Sequence, residues 1–292
     1  MCYGVKTIIG AFLLSTFMVS CSIYDKYPCH DQAEITLRFV DSTGAVLPDS
    51  IAYKYNINGF VKGAFRYTVP ADKDGKYRVV FNADDRDSIS FVAVATSDTS
   101  AYRVNIPQTG TVIGDTWLTL DNAEKEGNTS QPAAVYYGSL GIAPEGGKSK
   151  NYVIQLKNVL ARVRVQIKGL NDHFSDKDYR IALEGLRSGI AYDGSVSGEL
   201  VNDDLQGSFE SDGSYMTLPI TVFPTKAGER VRLRIYKSDG SLLLDRDVDE
   251  KGRPLELKKN DDVVFVVQVS YPTNITVSVI PWAEIDNPII FQ

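Results

Sequence analysis

Apolar and polar residues alternate along much of this chain with a period of two. In residues 33–40, Ile35, Leu37 and Phe39 share one face, whereas Thr36 and Arg38 share the other. This alternation predicts a strand with one buried face, because successive side chains of a strand point to opposite sides of its sheet. The clearest instance is 160–168, where Ala, Val, Val and Ile alternate with Arg, Arg, Gln and Lys.

Short stretches of this kind, separated by turn residues, follow one another along most of the chain. Up to residue 150, no stretch keeps apolar residues at helical spacing for three turns. The pattern therefore predicts an all-β protein of the β-sandwich type. The predicted strands are 33–40, 51–55, 60–69, 76–81, 89–95, 102–106, 116–120, 152–156, 160–168, 179–186, 215–223, 231–236, 242–247, 263–269 and 275–280.

Turn residues divide these strands and suggest a domain boundary. Residues 56–59 (Asn-Ile-Asn-Gly) and 238–240 (Ser-Asp-Gly) are predicted as hairpin turns, because Asn and Gly tolerate positive φ. Residues 141–150 contain one Pro, three Gly and two Lys and are the best candidate for a linker. The sequence thus predicts two tandem sandwiches, an N-terminal one at 33–150 and a C-terminal one at 151–292.

The N-terminus carries an apolar run over residues 7–19, preceded by Lys6. The run ends in Phe17-Met18-Val19-Ser20-Cys21, which resembles a bacterial lipoprotein processing box. A helix that spans a membrane needs roughly 20 apolar residues, so this run is too short for one. We predict a lipoprotein signal peptide at 1–20, lipidation at Cys21 and a tether at 21–32; a buried core helix is the alternative.

Lipidation determines how the body of the protein is held. Each buried methylene of an acyl chain contributes about 0.8 kcal/mol, and a single chain anchors only marginally. Lipoprotein processing adds two or three chains to the Cys, which suffices for stable attachment. No other apolar run approaches membrane-spanning length, so the lipid is the only predicted anchor.

Composition limits the partners and the redox chemistry. The net charge of −6 argues against a nucleic-acid partner, whose binding surface would be basic. Of the three Cys, Cys2 leaves with the signal peptide and Cys21 forms the thioether, so Cys29 is left without a disulfide partner. We interpret Cys29, beside His30, as a spare thiol in the tether.

Catalytic and metal-binding patterns are not found in the sequence. His30 and His173 are the two histidines, and neither has metal-ligand spacing to Cys, Asp or Glu. Three acidic pairs, at 84–85, 203–204 and 261–262, lack the spacing of known Ca²⁺ loops. The sequence therefore predicts no enzyme activity, no metal and no cofactor. Its sixteen Tyr and two Trp leave open a surface that binds glycans.

Several motifs, in this order along the chain, resemble one family. They are Cys21 followed by Tyr24-Asp25 and Pro28-Cys29, the stretch from Ile51 to Phe60, Tyr136-Tyr137-Gly138, the run from Val153 to Val165, and Val279-Ile-Pro-Trp282. Together they resemble the fimbrial anchor (FimB-type) subunits of the Bacteroidales type V pilus, apart from Met18 in place of the usual Leu. The resemblance implies two transthyretin-like β-sandwiches, a lipid anchor in the outer membrane and a role in attaching and terminating a fimbrium.

The resemblance also implies pilin partners that bind by β-strand complementation. In such pilins a protease that cuts after a basic residue removes the first strand. Residues 40–52 contain no Lys or Arg, and Arg38 lies inside the predicted strand, so we expect this chain to keep its first strand. A glycan-binding surface lipoprotein and an adhesive tip subunit are the alternatives. Whether residues 284–292 donate a strand is left open.

Overall fold

The computed structural model describes residues 32–47, 54–81, 87–96, 98–121, 132–144, 149–175, 177–270 and 274–283. The secondary structure of these residues is almost entirely β-strand, which confirms the all-β prediction. Several features of the sequence analysis lie outside the described residues: the predicted signal peptide, Cys21, Cys29 with His30, the acidic pair at 84–85 and the segment 284–292. The strands are β1 (Gln32–Val40), β2 (Lys54–Val61), β3 (Ala64–Val69), β4 (Tyr77–Val80), β5 (Ile89–Thr96), β6 (Tyr102–Val104), β7 (Thr116–Leu120), β8 (Val135–Ile142), β9 (Ser149–Asn158), β10 (Ala161–Lys168), β11 (Tyr179–Ala191), β12 (Val196–Leu205), β13 (Gly207–Phe209), β14 (Tyr215–Thr217), β15 (Ile220–Val222), β16 (Arg232–Lys237), β17 (Leu242–Arg246), β18 (Asp262–Ser270) and β19 (Asn274–Pro281); the helix α1 is Leu170–His173.

The first sandwich is one sheet that folds over on itself. Its strand order is β3-β2-β5-β8-β9-β1-β4. β8 and β9 pair only where Tyr136 and Tyr137 face Asn158 and Lys157, and β3 at one end of the sheet contacts β4 at the other. Two layers therefore enclose a core, which is built from Ala33, Ile35, Ile57, Val69, Tyr77, Val79, Phe81, Ile89, Phe91, Ala93, Ala95, Tyr136, Ile142, Ile154 and Leu156.

Gly138 allows the two layers to meet where the sheet folds. A Cβ atom added to Gly138 would lie 2.2 Å from the carbonyl oxygen of Gln155 in β9. Real Cβ atoms do not approach backbone oxygen so closely, so any side chain would push β8 away from β9.

The second sandwich packs two sheets against each other. One has the order β17-β16-β11-β7-β6, with β12 on the other edge of β11; the second has the order β13-β14-β10-β18-β19, with β15 also paired to β10. β10 follows its predicted alternation at most positions, since its Ala, Val and Ile side chains are buried and Arg162 and Lys168 are exposed. Gln166, predicted on the polar face, is instead buried. The core includes Val163, Val165, Ile167, Ile181, Leu183, Leu233, Ile235, Phe265 and Val267, all of them fully buried.

A third apolar cluster joins the two sandwiches. β6 and β7 come before β8 and β9 of the first sandwich in the chain, yet β7 pairs with the far end of β11 in the second sandwich. Phe60 and Val92 of the first sandwich pack here with Trp117 and Tyr192. The Tyr192 hydroxyl also donates a hydrogen bond to the carbonyl of Asn105. This shared core, which we call the joint, holds the two sandwiches together by apolar packing.

The predicted hairpin turn at 56–59 is wrong. β2 runs through these positions without a break, and the turn lies at Lys62 and Gly63, where φ is 49° and 79°. Asn58 is buried, and its side-chain oxygen accepts a hydrogen bond from the Thr68 hydroxyl at 2.8 Å. Its polar group is thus satisfied inside the hairpin. The predicted turn at 238–240 is correct, and it connects β16 to β17.

The predicted linker at 141–150 is also wrong. Gly141 and Ile142 end β8, and Ser149 and Lys150 begin β9, so the segment connects two strands of one sheet. The predicted division between residues 150 and 151 falls inside β9, which pairs with β1 along its length. The division of the chain into two domains stays a prediction. A domain boundary placed after β9 would keep all strands of this sheet in one domain.

Candidate anchoring strand and docking edge

The first described strand is held along its full length. β1 begins where the predicted tether ends and pairs in parallel with β9, from Gln32 opposite Ser149 to Val40 opposite Lys157. Its other edge pairs with β4 over residues 32–35. Ile35 is fully buried at 0% exposure. β1 is therefore an internal strand of the sandwich, and its removal would expose both paired edges and the core below them.

The chain just after β1 forms a hydrogen-bonded turn. The Asp41 carboxylate accepts hydrogen bonds from the backbone amides of Thr43 and Ala45 at 2.8 and 2.9 Å, and from the Thr43 hydroxyl at 2.7 Å. The Thr43 hydroxyl, with these amides, holds the pKa of Asp41 below its usual value. The described residues 41–47 contain no Lys or Arg, and Arg38 has its backbone paired opposite Gln155.

Among the described strands, β19 lies at the edge of its sheet in the second sandwich. It pairs with β18 from Asn274 to Pro281, and the backbone carbonyl of Val277 accepts a hydrogen bond from the Glu250 amide at 2.8 Å. That carbonyl therefore points away from β18. Because backbone groups alternate in direction along a strand, those of Val279 and Pro281 also point outward. Pro281 lacks an N–H, but that N–H would have pointed away from β18, so no hydrogen bond between β18 and β19 is lost.

Two arginines hold the end of β19. The guanidinium groups of Arg162 and Arg164 lie 4.3 and 3.8 Å from the ring centre of Trp282. Arg162 also donates to Asp262, with its Nε at 3.0 Å from one carboxylate oxygen. These contacts fix the residue that follows β19 on the outer face of β10.

The polar residues considered as catalytic or metal-binding candidates have structural partners. Asp204 accepts hydrogen bonds from Arg180 at 3.0 Å, Asp261 accepts from the backbone amide of Lys258 at 2.7 Å, and His173 ends α1. Within the described part of the chain, no group of three or more His, Cys, Asp or Glu is placed to hold a metal ion. Nor does that part contain a helix with the length and apolar character needed to cross a membrane.

Comparisons with known proteins agree with this architecture. The fimbrial anchor protein Mfa2 from Porphyromonas gingivalis matches with a TM-score of 0.65 at 13% identity, over 87% of this chain and 98% of that chain. A Bacteroides thetaiotaomicron protein, described as a candidate polysaccharide-binding protein, gives 0.60 at 14% identity over 86% and 97%. A candidate adhesin from Bacteroides ovatus gives 0.57 at 14% identity over 87% and 94%. At these identities the likeness shows a common fold. No curated protein sequence matches the chain.

A family model extends the comparison to the sequence. The model described as fimbrillin-A associated anchor proteins Mfa1 and Mfa2 matches residues 52–288, which is most of the chain. The match confirms the resemblance to fimbrial anchor subunits seen in the sequence motifs. This chain therefore belongs to the family of fimbrillin-A associated anchor proteins.

Proposed function

We propose that this protein is the basal anchor subunit of a fimbrium, held in the outer membrane by acyl chains on Cys21. Family membership over residues 52–288 is the observation that carries the proposal. An anchor needs a permanent link between its lipid and its folded body. Retention of β1 supplies that link, because β1 continues directly from the tether and is paired with both β9 and β4. The role is structural and requires no catalysis.

Replacement of the lipidated residue tests the proposal. Cys21→Ala should release the protein from the membrane fraction and shed intact fimbriae into the medium. Cys29→Ala is the matched control, since it removes a thiol from the same tether without affecting acylation. Fimbriae that stay attached to Cys21→Ala cells would contradict the anchoring role. Immunogold labelling at the fibre tip, and not at its base, would favour the adhesive tip subunit.

The same role requires that β1 stays on the mature protein. Mass spectrometry of the protein from cell envelopes should find an acylated N-terminus at Cys21. A mature form that begins near residue 39 or later would show that the first strand is removed, and the chain would then be processed like a stalk pilin.

A pilin strand adds to the β19 edge in this proposal, by β-augmentation. Val279→Pro removes an outward-facing N–H and should weaken pilin capture while it leaves the β18–β19 ladder intact. Val279→Ala loses most of the same side chain but keeps the N–H, so it should capture pilin normally. Co-purification of fimbrial subunits with each variant measures the effect. Equal capture by both variants would exclude this edge as the docking site.

A further inference from the structure

An open cleft of about 420 Å³ lies at one end of the second sandwich. One side is Asp178 with Tyr179 and Arg180 at the start of β11. The other side, at the β16–β17 turn, is lined by Tyr236, Lys237, Ser238 and Gly240. We call it the turn cleft. Its lining residues belong neither to the tether nor to β1 or β19, on which the anchoring proposal rests.

Two side chains of the turn cleft, Arg180 and Tyr236, are held against each other. Arg180 faces Tyr236 across the β11–β16 pair, and its guanidinium carbon lies 5.0 Å from the centre of the Tyr236 ring. The Arg180 Nε also donates to both oxygens of Asp204, at 3.1 and 3.0 Å. Tyr236 is half-buried. One wall is therefore a fixed aromatic ring that is partly open to solvent.

The charges near the turn cleft are close to balanced. Arg180 is neutralised by Asp204. Lys237 acts on Asp239 in the adjoining turn, where the Ser241 hydroxyl and, to a smaller extent, the Lys237 charge lower the pKa of Asp239. Asp178 adds a further carboxylate to the lining. A strongly anionic ligand would find no excess of positive charge here.

Other ligand classes fit the lining poorly. An apolar ligand would partly desolvate the Asp178 carboxylate and the Lys237 ammonium and offer them no hydrogen bonds, which is costly. A metal ion lacks a ligand cluster, because the described residues place no three His, Cys, Asp or Glu together. What remains suitable is a neutral ligand with many hydroxyl groups and one apolar face.

We propose that the turn cleft binds a neutral saccharide. The C–H face of a pyranose ring stacks on Tyr236, since aromatic rings present a negative face to polarised C–H groups. The Asp178 carboxylate accepts hydrogen bonds from sugar hydroxyls, while the Lys237 ammonium donates to sugar oxygens. This activity is separate from anchoring, and each can fail without the other.

Binding of the full-length protein in detergent to immobilised dextran, mannan, laminarin and xylan tests the proposal, with polygalacturonate as the acidic comparison. At least one neutral polysaccharide should retain the wild-type protein. Tyr236→Ala should weaken that binding roughly tenfold or more, whereas Tyr236→Phe, which keeps the ring, should stay within about threefold. Tyr152→Ala changes a half-buried tyrosine of the other sandwich and should bind like the wild type.

Two further measurements keep the test decisive. Asp178→Ala changes an exposed side chain and should also weaken binding severalfold, so the proposal stays testable if Tyr236→Ala fails to fold. Binding in 0.5 M NaCl should match binding at low salt, because the ligand carries no charge. Retention by polygalacturonate alone, no retention by any neutral polysaccharide, or unchanged binding by both Tyr236→Ala and Asp178→Ala would overturn the proposal.

Discussion

Ile35 of β1 offers the sharpest test of how the first strand is held. Ile35→Ala removes three carbons from a side chain that is fully buried between the two layers of the first sandwich. At about 0.8 kcal/mol per buried methylene-sized group, the lost transfer free energy is about 2.4 kcal/mol. The cavity left behind adds to this value, so we expect a loss of about 2–5 kcal/mol in the free energy of unfolding.

Hydrogen exchange locates that loss in the chain. The amides of β1 and β9 should lose protection by roughly a hundredfold, because each 1.4 kcal/mol changes the open population tenfold. Thr36→Ala is the matched control: Thr36 is the next residue, exposed on the outer face of the same strand. It should change stability by no more than about 0.5 kcal/mol.

The two variants together can refute the reasoning. Equal effects of Ile35→Ala and Thr36→Ala would mean that burial of the odd-numbered face does not hold β1. A loss of protection confined to the second sandwich would mean that β1 is not part of the first core.

Three other changes should have measurable effects. Gly138→Ala places a Cβ 2.2 Å from the Gln155 carbonyl oxygen and should lower the melting temperature by several degrees. Gly141→Ala is the control, because the atom nearest to its added Cβ lies 3.6 Å away, and it should melt like the wild type. Trp282→Ala removes two stacked guanidinium contacts and should raise the rate of limited proteolysis near the C-terminus severalfold; Trp282→Phe should restore most of the protection. Burial raises the pKa of Tyr192 to about 12, with a smaller effect of the Asp115 charge. Tyr192 therefore favours folding below pH 10, and that contribution is lost as the pH rises toward 12. Urea unfolding of Tyr192→Phe should show a weaker fall in the free energy of unfolding between about pH 10 and 12 than the wild type, and an equal fall would contradict the assignment.

The sequence indicates the strands that have one buried face. β1 and β10 were predictable because a sandwich core on one side and water on the other impose a period of two on their residues. β8 and β12 were not predicted because both contain residues that are uncommon in strands. Gly138 is needed for close approach, and β12 contains Gly, Asn and Asp.

Long-range pairing is the part of the fold that local patterns do not predict. β6 and β7 read as strands of the first half, yet they join β11 of the second sandwich. The error at 56–59 has the same origin, since Asn58 resembles a turn residue until Thr68 supplies its hydrogen-bond partner. The candidate site divides in the same way. A local motif predicts lipidation at Cys21, whereas the β19 edge and the turn cleft exist only after distant strands pair.

The parallel alignment of β1 and β9 determines how the fold would resist a pulling force. A pull on the tether enters β1 at Gln32, and a pull from the second sandwich enters β9 at Asn158, which is the opposite end of the pair. These two forces act in shear, so the inter-strand hydrogen bonds share the load and do not open one at a time. In the proposed anchor role, the order of these two strands would make the link between the tether and the second sandwich mechanically strong in the direction in which a fibre would drag it.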